Sequence, residues 1–172
     1  MSTTARRHSF ISYLLERSNQ KGGKAMLAAL RRGLGAEPGD PETAGMMPYV
    51  VPRVRKGATR REEADMYMIA SLFALHPSPR LSGNMGEHMR ELDPMRENDA
   101  TERRFIQLLR MRRDTLEPRL RQQISILKSS DVQVNWHQLI WDVRNWDDPD
   151  RFVQRNWARK FWGSNQSESE SD

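Results

Sequence analysis

Arginine and tryptophan are concentrated in the last third of this 172-residue chain, and their spacing restricts what the chain can fold into. Seven arginines lie between Arg103 and Arg121, and a tryptophan-rich segment follows that ends at Trp162. The apolar residues of this region recur at intervals of three and four, the period of an α-helix with one buried face, and the arginines fall between them. The pattern predicts compact helices that carry positive charge on their outer faces.

Helical patterns also cover the first two thirds of the chain, where glycine and proline separate them. The glycine pair at 22–23 opens one predicted helix. Thr59 and Glu62 have the spacing of a capping box, and the helix that they begin stops at the His-Pro pair, 76–77. The best candidate strand, residues 47–54, contains two prolines, which cannot donate to a ladder. The predicted fold is therefore all-α, without a significant sheet.

The distribution of glycine and proline predicts two small packed helix bundles. The N-terminal subdomain covers residues 1–95 and includes a Pro/Gly-rich loop at 36–52 with at most one turn of helix. The C-terminal bundle covers residues 96–163. Apolar density falls over residues 78–98, which we expect to form a mobile boundary between the two. Residues 164–172 hold three acids and no base, and we expect them to be a disordered acidic tail.

Polar residues mark the starts of three helices in the C-terminal bundle. We expect Asp99 with Glu102 to cap the first, Asn135 with Gln138 to cap the second, and Asp148-Pro149 to begin the last. Two sets of positions in the last helix follow from its period: Val153, Trp157 and Phe161 inward, and Arg151, Arg155 and Arg159 outward. The same reasoning places three tryptophans in the core, where they pack rather than stack on bases: Trp136, Trp141 and Trp157.

Charge and composition limit the classes of function. The net charge is +5, and without the three acids of the tail it is +8, which favours nucleic acid or acidic surfaces as partners. The chain has no cysteine, which excludes disulfides and thiolate chemistry. No run approaches the roughly 20 apolar residues that span a bilayer. We expect a cytoplasmic protein that does not bind a membrane.

Residues with catalytic or metal-binding chemistry show no convincing arrangement. The histidines are scattered and lack metal-ligand spacing: His8, His76, His88 and His137. The aspartates between Asp142 and Asp150 have the chemistry to hold magnesium, but a structural role explains them better, because Asp148 fits a helix N-cap. We predict no catalytic residue, no metal and no cofactor. A nuclease that uses this aspartate cluster is the alternative.

Basic residues are the stronger signal. They form three groups: Lys24, Arg31 and Arg32; Arg53, Arg55, Lys56, Arg60 and Arg61; and the arginines from Arg103 to Arg121. Cations on a rigid frame bind phosphates with an affinity that salt weakens. Each group alone is equally consistent with a solvated face, and we expect Arg112 or Arg113 to pair with Asp114 and Glu117.

Four segments of the chain carry a recognisable pattern: LAALRRG at 27–33, ASLFALHP at 70–77, the long segment from ERRFIQLLR to VRNW at 102–146, and WARKFW at 157–162. Together they resemble the CasB family, the small subunit of the type I-E CRISPR surveillance complex, Cascade. The resemblance extends from about Phe10 to Trp162. It implies an all-α protein of two subdomains that has no catalytic residues.

The resemblance also implies partners and a role. Family members sit between the backbone subunits and the large subunit of Cascade, beside a second copy of themselves. They help to hold the CRISPR RNA, the target DNA and its displaced strand through basic side chains, while base pairing reads the sequence. The nucleic-acid-binding candidates here are Lys24, Arg31, Arg32, Arg53, Arg60, Arg61, Arg103, Arg110, Arg119, Arg121, Lys128 and Arg144. A helix-turn-helix regulator and a pure protein scaffold are the alternatives.

Overall fold

The structure is a computed structural model that describes residues 7–163. Within that range all regular secondary structure is helical, and strand-like pairing is limited to one bridge between Pro79 and Val134. The α-helices are α1 (Ser9–Ser18), α2 (Gly23–Arg32), α3 (Met47–Val50), α4 (Arg60–Leu75), α5 (Met85–Arg90), α6 (Asp99–Arg110), α7 (Leu116–Ser129), α8 (Trp136–Arg144) and α9 (Phe152–Trp162). The all-α prediction is confirmed. The predicted acidic tail lies outside the described residues.

Helix α4 is the centre of the molecule. Residues 65–74 are all buried, because α2, α7 and α8 pack around them. This helix is buried on every face over those ten residues. Its nearly unbroken apolar run, MYMIASLFAL at 66–75, is typical of a helix that is surrounded on all sides. Elements that line different faces of α4 are therefore held in fixed positions relative to one another.

Two of the predicted helix caps are confirmed, and a third is wrong. Thr59 and Glu62 form the complete capping box of α4, and Asn135 Oδ1 accepts from the Gln138 N–H at the start of α8. The cap of α6 is Asn98, whose side chain accepts from the Ala100 N–H at 2.9 Å. Asp99 is the first helical residue instead, where its charge favours the positive end of the helix dipole.

The predicted start of the last helix at Asp148-Pro149 is also wrong. Asp148 Oδ1 accepts from the Asp150 N–H at 2.9 Å, so its side chain closes a local turn. Arg151 then adopts the left-handed conformation at φ 51°, and α9 begins at Phe152. The Arg151 guanidinium donates to the Leu109 carbonyl at 2.7 Å, which holds this residue outside the helix.

Further along α9, the predicted inward and outward positions agree with the structure. The buried residues of the helix include the predicted Val153, Trp157 and Phe161. Arg155 and Arg159 are exposed on its outer face. Arg151 precedes the helix and so leaves the predicted arginine row.

The two irregular segments contain more helix than predicted. The loop predicted at 36–52 holds a 3-10 helix, Pro41–Met46, which continues into α3, so it exceeds one turn. The segment 78–98 contains α5, whose Gly86 lies so close to the Trp157 backbone that a side chain would collide with it. Arg90 and Arg96 donate to the Gly163 and Phe161 carbonyls at 2.8 and 3.1 Å. These two cations bind the negative end of α9.

A single contiguous cluster of buried residues runs from Phe10 to Phe161. It joins elements from both predicted subdomains: α4 packs on α8, and α5 packs on α9. Trp136 and Trp157 are fully buried, as predicted, while Trp141 is half-buried against the cluster. The division of the chain at residue 95 stays a prediction, because the packing itself marks no break there.

Candidate nucleic-acid interface

Most of the predicted nucleic-acid-binding cations lie exposed on the helical frame. Within residues 7–163 the following are exposed and form no ion pair: Lys24, Arg31, Arg32, Arg53, Arg60, Arg103, Arg110, Arg119 and Lys128. Their helices are anchored by buried apolar faces, so the charges project from a fixed frame. Exposed cations of this kind are available to an anionic partner.

Three of the candidates are less available. Arg61 binds Asp147, with Nη2 and Oδ2 2.7 Å apart, and Arg121 lies 3.5 Å from the Glu117 carboxylate. Arg144 is half-buried, and its guanidinium lies 5.6 Å from the Trp141 ring. For the first two, an intramolecular carboxylate competes with any phosphate.

The basic groups do not gather around one point. Arg31 donates to the carbonyl of Ala74, near the end of α4, whereas Arg60 is the first residue of that helix. Fourteen helical steps separate positions 60 and 74, which corresponds to about 21 Å. Gly35, just after α2, lies against Arg121 of α7.

Two candidates from distant parts of the sequence do meet. Arg53 and Arg144, together with Arg55, line one side of a cleft of about 270 Å³ that we call the arginine cleft. The remaining lining residues are His8, Ser9, Phe10, Ala58, Glu62 and Met66. The sequence analysis placed Arg55 in a basic group but not among the candidates. The neighbouring basic residues in the sequence were the signal that could have identified Arg55 as a candidate.

Arg61 lines a different depression, which we call the mixed groove. It is lined by Gly35, Ala36, Glu37, Arg61, Ala64, Met68, Ser71, Arg113, Asp114 and Glu117. Three carboxylates face two arginines there. The mixed groove is therefore close to neutral, and its charges complement one another.

A buried ion pair beneath the mixed groove was not predicted. Arg113 Nε donates to Asp65 Oδ1 at 2.9 Å, and Asp65 is 1% exposed. Burial raises the pKa of Asp65, and the Arg113 charge opposes that rise. Of the pairings predicted for Arg112 or Arg113, the one between Arg112 and Asp114 is confirmed at 3.7 Å. Glu117 lies 3.5 Å from Arg121 instead, and Arg113 binds Asp65, 48 residues away.

The histidines have structural partners. His137 Nδ1 accepts from the His8 N–H at 2.8 Å, and His88 Nε2 accepts from the Asn135 N–H at 3.0 Å. Burial lowers the pKa of His8 to about 4, with the nearby Arg144 and His137 adding to the effect. Burial also lowers the pKa of His88 to about 3. Neutral rings are therefore favoured, and the charge of the arginine cleft comes from its arginines.

The aspartates of the predicted magnesium cluster have separate partners. Asp142 is buried and accepts from Trp157 Nε1 and Gln138 Nε2, each at 2.8 Å. Burial raises the pKa of Asp142 to about 6. Asp147 binds Arg61, which lowers the Asp147 pKa, and Asp148 closes the turn before α9. Over residues 7–163, no three acidic or histidine side chains are grouped as a metal site would require.

Transmembrane helices of sufficient length and apolarity are absent from the part of the chain that the structure describes.

The fold and surface define a class of protein: a compact all-helical body whose exposed arginines and lysines mostly lack acidic partners. Residues 26–162 match the family model described as CRISPR-associated protein Cse2. The chain belongs to this Cse2 family, whose members are also named CasB, and the predicted family is confirmed.

Individual relatives agree over nearly their whole length. The Cse2 protein of Thermus thermophilus is 35% identical over 163 residues, 94% of this chain and 92% of that protein. The crystal structure of CasB from T. thermophilus superposes with a TM-score of 0.77 at 31% identity, covering 90% of this chain and 96% of the other. A chain in a structure of a CRISPR RNA-guided surveillance complex has a TM-score of 0.75 at 26% identity, with 89% of each chain covered.

Proposed function

We propose that this protein is a subunit of a CRISPR RNA-guided surveillance complex of the Cascade type, where it holds nucleic acid through phosphate contacts. Its partners are the backbone and large subunits, a second copy of itself, the CRISPR RNA, and the target DNA with its displaced strand. Sequence recognition belongs to base pairing between RNA and DNA, so this subunit contributes electrostatic attraction rather than base reading. In this role it carries no catalytic residue.

The observation that carries the proposal is the set of exposed, unpaired cations on the described helices. A phosphate needs a cation that is not neutralised by an internal carboxylate and that is held by a rigid element. Arg32 at the end of α2 and Arg60 at the start of α4 meet both conditions. The likeness to a surveillance-complex chain over 89% of both lengths supports the assembly part of the proposal.

Charge reversal at two unpaired cations tests the proposal. Arg32→Glu combined with Arg60→Glu should weaken binding of a labelled DNA oligonucleotide at least about tenfold at roughly 50 mM salt, because two phosphate contacts become repulsive. Fluorescence anisotropy over a salt series measures the change. The matched control is Arg155→Glu with Arg159→Glu, which alters net charge equally on α9, away from the candidate residues.

The outcomes separate the proposed function from its alternatives. Wild-type protein should bind DNA and RNA–DNA hybrids with little sequence preference and with steep salt dependence. Binding confined to one DNA sequence would indicate a helix-turn-helix regulator instead. If the double variant failed to join a reconstituted complex yet bound DNA normally, the cations would serve protein contacts, and the protein would be a scaffold.

A further inference from the structure

We propose that the arginine cleft is a phosphate-binding site that holds one backbone phosphate of a bound nucleic-acid strand. This inference rests on the proposed function and makes it specific, since it assigns a contact to a defined cavity. The ligand chemistry is a phosphodiester with its sugar, contacted by Arg53 and Arg144.

The first support is convergence. Arg53 and Arg55 follow α3, whereas Arg144 is the last residue of α8, 91 positions beyond Arg53. Folding brings these like charges to one cavity, where each repels the others. A bound anion would offset that repulsion, and arginine presents a planar fork that matches phosphate oxygens.

The second support is that two of the three guanidinium groups form no ion pair within residues 7–163. Glu62 is the one carboxylate in the lining, and it is occupied by Arg55, whose Nη2 lies 2.8 and 2.9 Å from its two oxygens. Arg53 forms no ion pair with the described residues, and its guanidinium lies 3.9 Å above the Tyr13 ring. Arg144 Nε is buried and lacks a hydrogen-bond partner within that part of the chain.

The third support is the character of the walls. Phe10, Ala58 and Met66 also line the cleft, and apolar side chains of this kind suit the carbon skeleton of a sugar. The cavity is about 270 Å³ and opens to solvent between α1, the segment after α3 and α8. A nucleic-acid strand that crosses this opening can place one of its phosphates in the cleft. The ring of Tyr13 holds Arg53 in place for this contact.

The test is the salt dependence of binding to single-stranded DNA and to an RNA–DNA hybrid. Arg53→Gln and Arg144→Gln should each lower the slope of log K against log salt, and the two together should lower it by about 0.7–0.9, the value for the one phosphate that the cleft holds. Arg144→Lys keeps the charge and should keep the slope, which separates lost charge from lost packing. Arg155→Gln, on the exposed face of α9, is the control for the change in net charge.

Each outcome has a clear meaning. If wild-type protein binds no nucleic acid, the proposed function fails before the cleft is tested. If wild-type protein binds and the slopes of Arg53→Gln and Arg144→Gln equal that of Arg155→Gln, the cleft does not hold a backbone phosphate. If inorganic phosphate raises the melting temperature of the wild type but not of Arg144→Gln while the DNA slopes stay equal, the cleft binds a small anion, and the inference is overturned.

Discussion

The arginine cleft and the mixed groove lie on nearly opposite sides of α4, and they use similar residues differently. Glu62 and Met66 face the cleft, while Arg61, Ala64 and Met68 face the groove. Successive residues of a helix are rotated by 100°, so the mean directions of these two sets around the axis of α4 differ by more than a third of a turn. In the groove, Arg113 and Arg61 form ion pairs with Asp65 and Asp147; in the cleft, Arg53 and Arg144 form no ion pair with any residue between 7 and 163.

This difference shows that a count of arginines does not identify a binding surface. The arginines of the groove stabilise the fold by tying α4 to the 3-10 turn before α7, Arg113–Thr115, and to the loop before α9. In the cleft Arg55 binds Glu62, whereas Arg53 and Arg144 contact aromatic rings and form no ion pair with a described residue. The same side chain therefore supports the fold in one place and is available to a ligand in the other.

Breaking the groove's buried ion pair should have the largest effect. Arg113→Ala leaves the Asp65 carboxylate buried without its partner and should lower the free energy of unfolding by about 3–5 kcal/mol. Urea denaturation followed by circular dichroism measures the loss. Asp65→Leu combined with Arg113→Met should restore most of it, because no charge is then buried. A loss below about 1 kcal/mol for Arg113→Ala would show that the pair does not matter.

Acid should lower the free energy of unfolding through His8, which lines the cleft. The lining of the groove contains no histidine. Unfolded histidine gains a proton near pH 6.5, whereas folded His8, with its pKa lowered to about 4, does not. The unfolded state then binds more protons, so stability falls as pH drops from about 6.5 toward 4.

His8→Asn isolates this effect. Asparagine keeps a side-chain oxygen for the Phe10 N–H at the start of α1 but cannot titrate. At about pH 5 the wild type should have lost about 1 kcal/mol more than the variant relative to neutral pH, a value reduced for partial hydration of the ring. Urea titrations at both pH values measure this. Identical pH dependence in the two proteins would show that His8 titrates normally.

Arg61→Gln should have the smallest effect and sharpens the comparison most directly. It removes a half-exposed ion pair with Asp147 and should lower the free energy of unfolding by about 0.5 kcal/mol. The salt slope of nucleic-acid binding should not change, since the groove's charges are already paired. Arg60→Gln, one residue earlier and without an ion pair in the described residues, should leave the free energy of unfolding unchanged and reduce the salt slope. A fall in the salt slope for Arg61→Gln would place this arginine on the nucleic acid.

Local signals in the sequence predicted much of the fold. The helical period placed the core residues of α9, and the spacing of Thr59 with Glu62 gave the start of α4. Competition between adjacent polar residues was harder to resolve: Asn98 rather than Asp99 caps α6, and Asp148 closes a turn instead of starting α9. Each choice depends on backbone geometry that the sequence does not display.

The sequence predicted which cations are candidates for the site, but not which of them are paired or lie together. Arg60 and Arg61 are adjacent and identical in type, yet one is unpaired and the other binds Asp147, 86 residues away. Likewise Arg53 and Arg144 share a cleft because α8 packs on α4, which no local pattern indicates. Long-range packing decides which arginines are neutralised, and it is the information that sequence reasoning lacked.

The attachment of α9 to α5 has a practical consequence. Arg90 and Arg96 hold the carbonyls at the end of α9, so the exposed positions 97 and 160 stay close although they are 63 residues apart in the chain. A pair of dyes on cysteines introduced at these positions, into a chain that otherwise has none, would transfer energy efficiently only while this half of the protein is intact. In single molecules, the moment at which energy transfer is lost would show when α9 separates from α5.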